Sequence, residues 1–151
     1  MILIGHRGAA GLAAENTIAA IDAGLAAGVD AVEIDIRVAA DGTPVLSHND
    51  FILSTDGQKL LIRDYTYVDL RAHKPDLATL TQAVQTVKRS KPLHIEIKRG
   101  EPVDVLIAFL QGYLQRDYLP SDFAVVSFDQ SALRAVHHAL PQLPLVVNDS
   151  W

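Results

Sequence analysis

A chain of 151 residues, 49% hydrophobic and 21% charged, has the composition of one globular domain and is long enough to bury a core. A formal net charge of −5 leaves no basic footprint, so nucleic acid is excluded as an expected partner, and an anionic substrate has to be held by local positive charge or by a metal. The absence of cysteine excludes disulfides and thiolate metal sites, leaving oxygen and imidazole as ligands.

The first residues, Met1-Ile2-Leu3-Ile4-Gly5, run straight into a strand pattern ended by Gly5 and Gly8. They lack the basic region and longer apolar stretch of a secretory signal. No apolar run reaches the roughly 20 residues of a membrane span, so the expectation is a cytoplasmic protein with no transmembrane segment. Glu15-Asn16-Thr17 opens a helical pattern through Ile18, Ile21 and Leu25, stopped by Gly28. Ala31 to Val38 alternates, with Val32, Ile34 and Ile36 on one face and Glu33, Asp35 and Arg37 on the other. Asp41-Gly42 marks a turn, and Pro44-Val45-Leu46 is a strand leading to Ser47-His48. The gap between Asp35 and Pro44 is too short for a crossover helix, so this link is a hairpin or a bare connection.

Residues 49–76 show no sustained period and read as an irregular loop or a reduced insertion. Ala78 to Lys88 reads as a helix, Leu93 to Lys98 as a strand and Pro102 to Leu114 as an amphipathic helix. Phe123 to Phe128 is a strand, Ser131 to Leu140 a helix and Leu143 to Val147 a last strand. Alternating strands and helices with short connections predict a parallel α/β sheet, with residues 1–151 as a single domain.

The polar residues gather at the ends of the predicted strands, where barrel enzymes build their sites. His6 and Arg7 end the first strand, and His48 ends the third. Residues two apart on a strand share a face, so Glu33 and Asp35 project together, as do Glu96 and Lys98. Their apolar neighbours would face helices, which turns the charged face inward, where ionised carboxylates need a cation or a partner. Glu33, Asp35 and Glu96 then form an oxygen-rich site suited to Mg²⁺ or Ca²⁺ rather than zinc. Arg7 offers a planar fork for phosphate, and Lys98 a compact charge beside the same carboxylates. His6 and His48 suit a base on one side of phosphorus and an acid on the other. Asn16 reads as a helix-start residue that also supports the site, and Asp50 as an orienting group or a turn former. His94 and Ser127 read as packing residues.

His6-Arg7-Gly8, Glu15-Asn16-Thr17, Glu33-Ile34-Asp35, Ser47-His48, Glu96-Ile97-Lys98 and Val126-Ser127-Phe128-Asp129 together resemble the glycerophosphodiester phosphodiesterase family over nearly the whole chain. The resemblance implies a TIM-type barrel, with Glu33, Asp35 and Glu96 as metal ligands and His6 and His48 as the acid/base pair. Arg7 and Lys98 would hold phosphate, with Asn16 and Asp50 in support. The implied reaction is metal-dependent hydrolysis of a small-molecule glycerophosphodiester to glycerol 3-phosphate and an alcohol. The chain departs from the family pattern where Asn49 separates His48 from Asp50, and where the usual Arg-Thr-Thr is reduced to Ser54-Thr55.

A family barrel has eight strands in about 250 residues. Six are expected here, which predicts a barrel incomplete at its C-terminal end. The open sheet edges allow a homodimer. Two rival functions follow: a phospholipase-type enzyme whose substrate hydroxyl attacks to give a cyclic phosphate, and a truncated, non-catalytic binder of metal or phosphodiester.

Overall fold

The structure, a computed structural model, describes residues 1–149. Its elements in chain order are β1 (Ile4–Gly5), α1 (Ile18–Ala26), β2 (Ala31–Val38), β3 (Pro44–Leu46), β4 (Phe51–Leu53) and β5 (Lys59–Leu61). There follow α2 (Tyr67–His73), α3 (Leu80–Val87), β6 (Leu93–Ile97), α4 (Val103–Leu114), β7 (Phe123–Ser127), α5 (Gln130–Ala139) and β8 (Leu145–Val147).

The alternating pattern of β2 organises these elements. Val32, Ile34 and Ile36 of β2, Leu93, Ile95 and Ile97 of β6, and Phe123 and Val125 of β7 are each 1% exposed or less. They pack with Ile21 of α1, Leu80 and Val84 of α3, Leu106 and Leu110 of α4, and Leu133 and Val136 of α5. Each such side chain contributes about 1.5–3 kcal/mol of transfer free energy. The parallel strands run in the order β1-β2-β6-β7-β8, each beside its predecessor. A singly wound order without reversal is that of a (β/α) barrel wall, not of a doubly wound sheet.

Helix starts are set by local side chains. Thr17 accepts from the Ala20 N–H at α1, Thr79 forms a capping box with Gln82 at α3, and Asp129 accepts from Ser131 and Ala132 at α5. Asn16 therefore precedes the cap instead of providing it.

The undecided link after Asp35 is a hairpin, with β3 antiparallel to β2 through Ile36–Leu46, Arg37–Val45 and Val38–Pro44. Gly42 turns the chain at φ +81°, and Thr43 N–H donates to Asp41 Oδ1 at 3.1 Å. The two-residue β1 covers only Ala31 and Val32 of β2, so the far part of that edge is free for β3. Residues 49–76 are also more regular than their sequence suggests. They form the β4–β5 hairpin, a short 3₁₀ turn at Ile62–Asp64, and α2 with a Thr66/Asp69 capping box. Val45, Ile52, Leu60, Ile62, Leu70 and Leu77 give this excursion its own small core. Elements of three residues are too short to print a period. Among the described residues, no helix is long and apolar enough to cross a membrane.

Candidate active site

Parallel pairing of β2 with β6 aligns Glu33 with His94 and Asp35 with Glu96. Paired residues share a face. Glu33, Asp35 and Glu96 are 8%, 1% and 6% exposed, and each offers an oxygen within 4.8 Å of the others. The inward turn of the charged face expected from alternation is what the structure has.

The loop between β1 and α1 folds onto these carboxylates. Arg7 N–H donates to Glu33 Oε2 at 2.8 Å, and Gly8 N–H to the Glu33 carbonyl at 2.8 Å. That turn needs φ +53° at Arg7 and +89° at Gly8. Gly8 also lies where a Cβ would come within 2.7 Å of the Ala20 Cβ and 2.8 Å of the Ile21 nitrogen, so only glycine lets the loop rest on α1. Asn16, also left-handed at φ +56°, is 5% exposed and doubly bound to Asp35. Its Nδ2 donates to Asp35 Oδ2 at 2.9 Å, and its Oδ1 accepts from the Asp35 N–H at 3.0 Å.

The three carboxylates are held differently. Glu33 Oε2 has the Arg7 N–H and, 3.9 Å away, His6 Nε2, while its Oε1 is buried with no hydrogen-bond partner. Burial, reinforced by the charges of Asp35 and Glu96 and opposed by the Arg7 N–H and by Lys98, pushes the Glu33 carboxyl up to about 7. Burial acts on Asp35 in the same direction. Hydrogen bonds from Lys98 and Asn16, with the charges of Lys98 and His48, overcome it and hold Asp35 below the usual carboxylate range. Glu96 is bound by Lys98 Nζ through Oε1 and by Asn148 Nδ2 through Oε2, the latter at 3.0 Å.

Lys98 bridges Asp35 and Glu96. Arg7 pairs with Glu15 at 2.8 Å, and its Nε stands 3.5 Å from Asp35 Oδ2, an ion-pair approach that leaves the Nε without a hydrogen bond. Both cations expected to meet phosphate thus lie against the carboxylates. The two histidines line separate clefts. His6, its side chain 69% exposed, opens with Glu33, His94, Glu96 and Asn148 onto a cleft of about 350 Å³. His48 lines a second cleft of about 340 Å³ with Asn16, Ser47 and the apolar Leu46, Phe51 and Ile52. Through Asn16, which is bound to Asp35, this second cleft reaches the carboxylates.

Asp50 is not brought to the carboxylates. It is exposed, its carbonyl accepts from the Ile62 N–H at 2.9 Å, and it lines another cleft with Arg37, Arg63 and Arg99. Ser127, fully buried, donates to the Ile97 carbonyl at 2.8 Å and accepts from the Asp129 N–H at 3.0 Å, in keeping with a packing role. His94 is half-buried at the cleft, and burial lowers its imidazole below the ordinary value. Asn148 was not singled out from the sequence, although it follows the last strand at the same end as the other site residues.

The family model for the glycerophosphoryl diester phosphodiesterase family matches residues 6–148. This chain belongs to the glycerophosphoryl diester phosphodiesterase family. A glycerophosphodiester phosphodiesterase of Bacillus altitudinis is 35% identical over 96% of this chain and 65% of its own. The glycerophosphodiester phosphodiesterase structure from Thermotoga maritima superposes with a TM-score of 0.82 at 26% identity, covering 99% of this chain and 63% of that one. A phosphodiesterase from Oleispira antarctica, in complex with the product sn-glycerol-3-phosphate, superposes with a TM-score of 0.81 at 26% identity, over 99% of this chain and 66% of that one. The fold is thus that of the family's TIM barrel in part, five parallel strands of its wall among the described residues, and the chain spans just under two thirds of the length of these relatives.

Proposed function

We propose that this chain hydrolyses glycerophosphodiesters to glycerol 3-phosphate and an alcohol. The observation that carries the reading is the buried triad Glu33, Asp35 and Glu96: Glu33 and Glu96 line a cleft with His6, and Asp35 is bound by Asn16, which lines a second cleft with His48. The family match and the Oleispira relative, bound to sn-glycerol-3-phosphate, support the substrate class.

The triad fits a divalent cation. Its oxygens converge within 4.8 Å, and the buried, unpartnered Oε1 of Glu33 is a lone pair in search of a positive charge. All donors are carboxylate oxygens, which suits Mg²⁺ or Ca²⁺. When bound, such a cation supplies Lewis-acid polarisation of a phosphate oxygen.

The chain's own residues do the rest. Arg7 and Lys98 turn toward the phosphate and neutralise its equatorial charge. One imidazole of the pair His6 and His48 takes a proton from water as its oxygen bonds to phosphorus. The other gives a proton to the alcohol oxygen as the P–O bond breaks. Asn16 fixes Asp35 through both side-chain atoms, and Asn148 fixes Glu96.

The test is to incubate the protein with glycerophosphocholine and glycerophosphoethanolamine, with Mg²⁺ or Ca²⁺ and then with chelator, and to measure glycerol 3-phosphate. Metal-dependent release, abolished by His6→Ala and by Glu96→Ala, is expected. A persistent cyclic phosphate, cation binding without turnover, or variants as active as the unmodified protein would each overturn the reading.

A further inference from the structure

We infer that Arg37, held by Glu101, is a positioning residue for His48, an inference that rests on the acid/base role proposed for that histidine. Glu33, Asp35 and Arg37 share one face of β2, and only the first two belong to the carboxylate triad. The Arg37 side chain is 16% exposed and the Glu101 side chain 14%. A cation that deep needs a partner with directed bonds.

Arg37 divides its guanidinium between two. One terminal nitrogen donates to Glu101 Oε1 at 3.0 Å and the other to the His48 carbonyl at 3.1 Å. Glu101 is itself fixed, because its Oε2 accepts from the Val38 N–H at 2.9 Å and its own N–H donates to the Lys98 carbonyl at 3.2 Å. One ion pair therefore ties the end of β2, the turn after β6 and the residue His48.

His48 needs such a tie. The ladder of β3 ends at Ile36–Leu46, followed by one bond from the Ser47 N–H to the Asp35 carbonyl at 3.1 Å. Asn49 and Asp50 are already exposed. Among the described residues, the imidazole makes only a long 3.4 Å approach to Asn49 Oδ1. The Ser47 hydroxyl spans the residue by donating to the Asn49 carbonyl at 2.9 Å, and the Arg37 bond is what fixes the His48 carbonyl itself. A planar fork can hold a carboxylate and a carbonyl in fixed directions at once, which an ammonium cannot do.

The experiment measures glycerophosphocholine turnover at saturating Mg²⁺, together with NMR of the histidine ring protons, for Arg37→Ala, Arg37→Lys and His48→Ala. In Arg37→Ala, kcat is expected to fall about 10- to 100-fold with KM unchanged, the scale of a misplaced catalytic group. The His48 ring resonances move and those of His6 stay. Adding Arg37→Ala to His48→Ala costs nothing further, and Arg37→Lys stays close to Arg37→Ala. If Arg37→Ala does not fold, Glu101→Gln releases the fork in place, with the same shift of His48 and a several-fold loss of kcat expected. Full recovery in Arg37→Lys, an equal loss in the His48→Ala background, or unmoved His48 resonances with unchanged kcat would overturn the positioning role. Wild-type turnover in His48→Ala would instead overturn the reading of His48 itself.

Discussion

The β2–β6 ladder and the segments that carry the two histidines are built to different standards. The ladder is central, with five paired registers from Val32–Leu93 to Ile36–Ile97, an apolar face against the helices and three buried carboxylates on the other face. The histidines sit on short supports. His6 follows a two-residue edge strand, and His48 follows a three-residue strand that leads into an excursion with its own small core. Charges that repel one another need a rigid frame to stay converged. The histidines proposed to move protons would need access to substrate and solvent, which the strand ends provide.

The largest effect that would sharpen this division is on turnover. His6→Ala or His48→Ala should lower kcat by about 10²- to 10⁴-fold, the usual contribution of a general acid or base, with the melting temperature unchanged. A fall in stability matching the fall in rate would erase the distinction between the frame and the groups at its strand ends.

Next comes packing. Ile95→Ala removes a fully buried side chain from the central strand and should cost about 2–5 kcal/mol of global stability. Ile52→Ala, in the satellite core, should show mainly as faster amide exchange within residues 49–76. Chemical denaturation and hydrogen exchange on the two variants separate these outcomes.

Glu33 supplies a third effect, on pH dependence. Its folded value, raised from 4.5 to about 7, means that the folded chain binds more protons than the unfolded one across that interval. Metal-free stability from this group is therefore complete below pH 4.5 and lost as pH rises through about 7, by up to about 3 kcal/mol. His94, lowered by burial, acts in the opposite sense below pH 6.5. The difference between wild type and Glu33→Gln removes that contribution, and Glu33→Gln should be the more stable in chelator near pH 7.5. Equal denaturation midpoints of the two proteins at pH 5 and pH 7.5 would show that Glu33 is not so perturbed.

The smallest effect is at Asn148, which touches the triad from outside the ladder. Asn148→Ala should weaken cation affinity about 10- to 100-fold without altering the fold, measurable by calorimetric titration.

Legibility in the sequence follows the same division. The alternation in Ala31–Val38 and Leu93–Ile97 is long enough to print its period, so the buried ladder and the inward face of Glu33, Asp35 and Glu96 could be read from residue order. The β4–β5 hairpin could not, because three-residue strands carry no periodicity, although Thr66 and Asp69 wrote a capping box that marks α2. The hairpin after Asp35 was legible only as a gap too short for a helix. Direct contacts between distant segments left no local signature. Arg37 with Glu101, and Asn148 with Glu96, are 64 and 52 residues apart, and only the fold brings them together. Asn16 shows a different limit. Its propensity to start helices is real, but the left-handed turn delivers it to Asp35 and leaves the cap to Thr17.

The most direct test is one calorimetric titration of Mg²⁺ or Ca²⁺ into wild type, Glu96→Gln and His48→Ala, with turnover of glycerophosphocholine read on the same samples. One cation per chain should bind to wild type and to His48→Ala alike, with turnover only in the former, and binding should be lost in Glu96→Gln. Cation binding that survives Glu96→Gln unchanged, or that disappears with His48→Ala, would contradict a rigid carboxylate centre served by histidines on the surrounding strand ends.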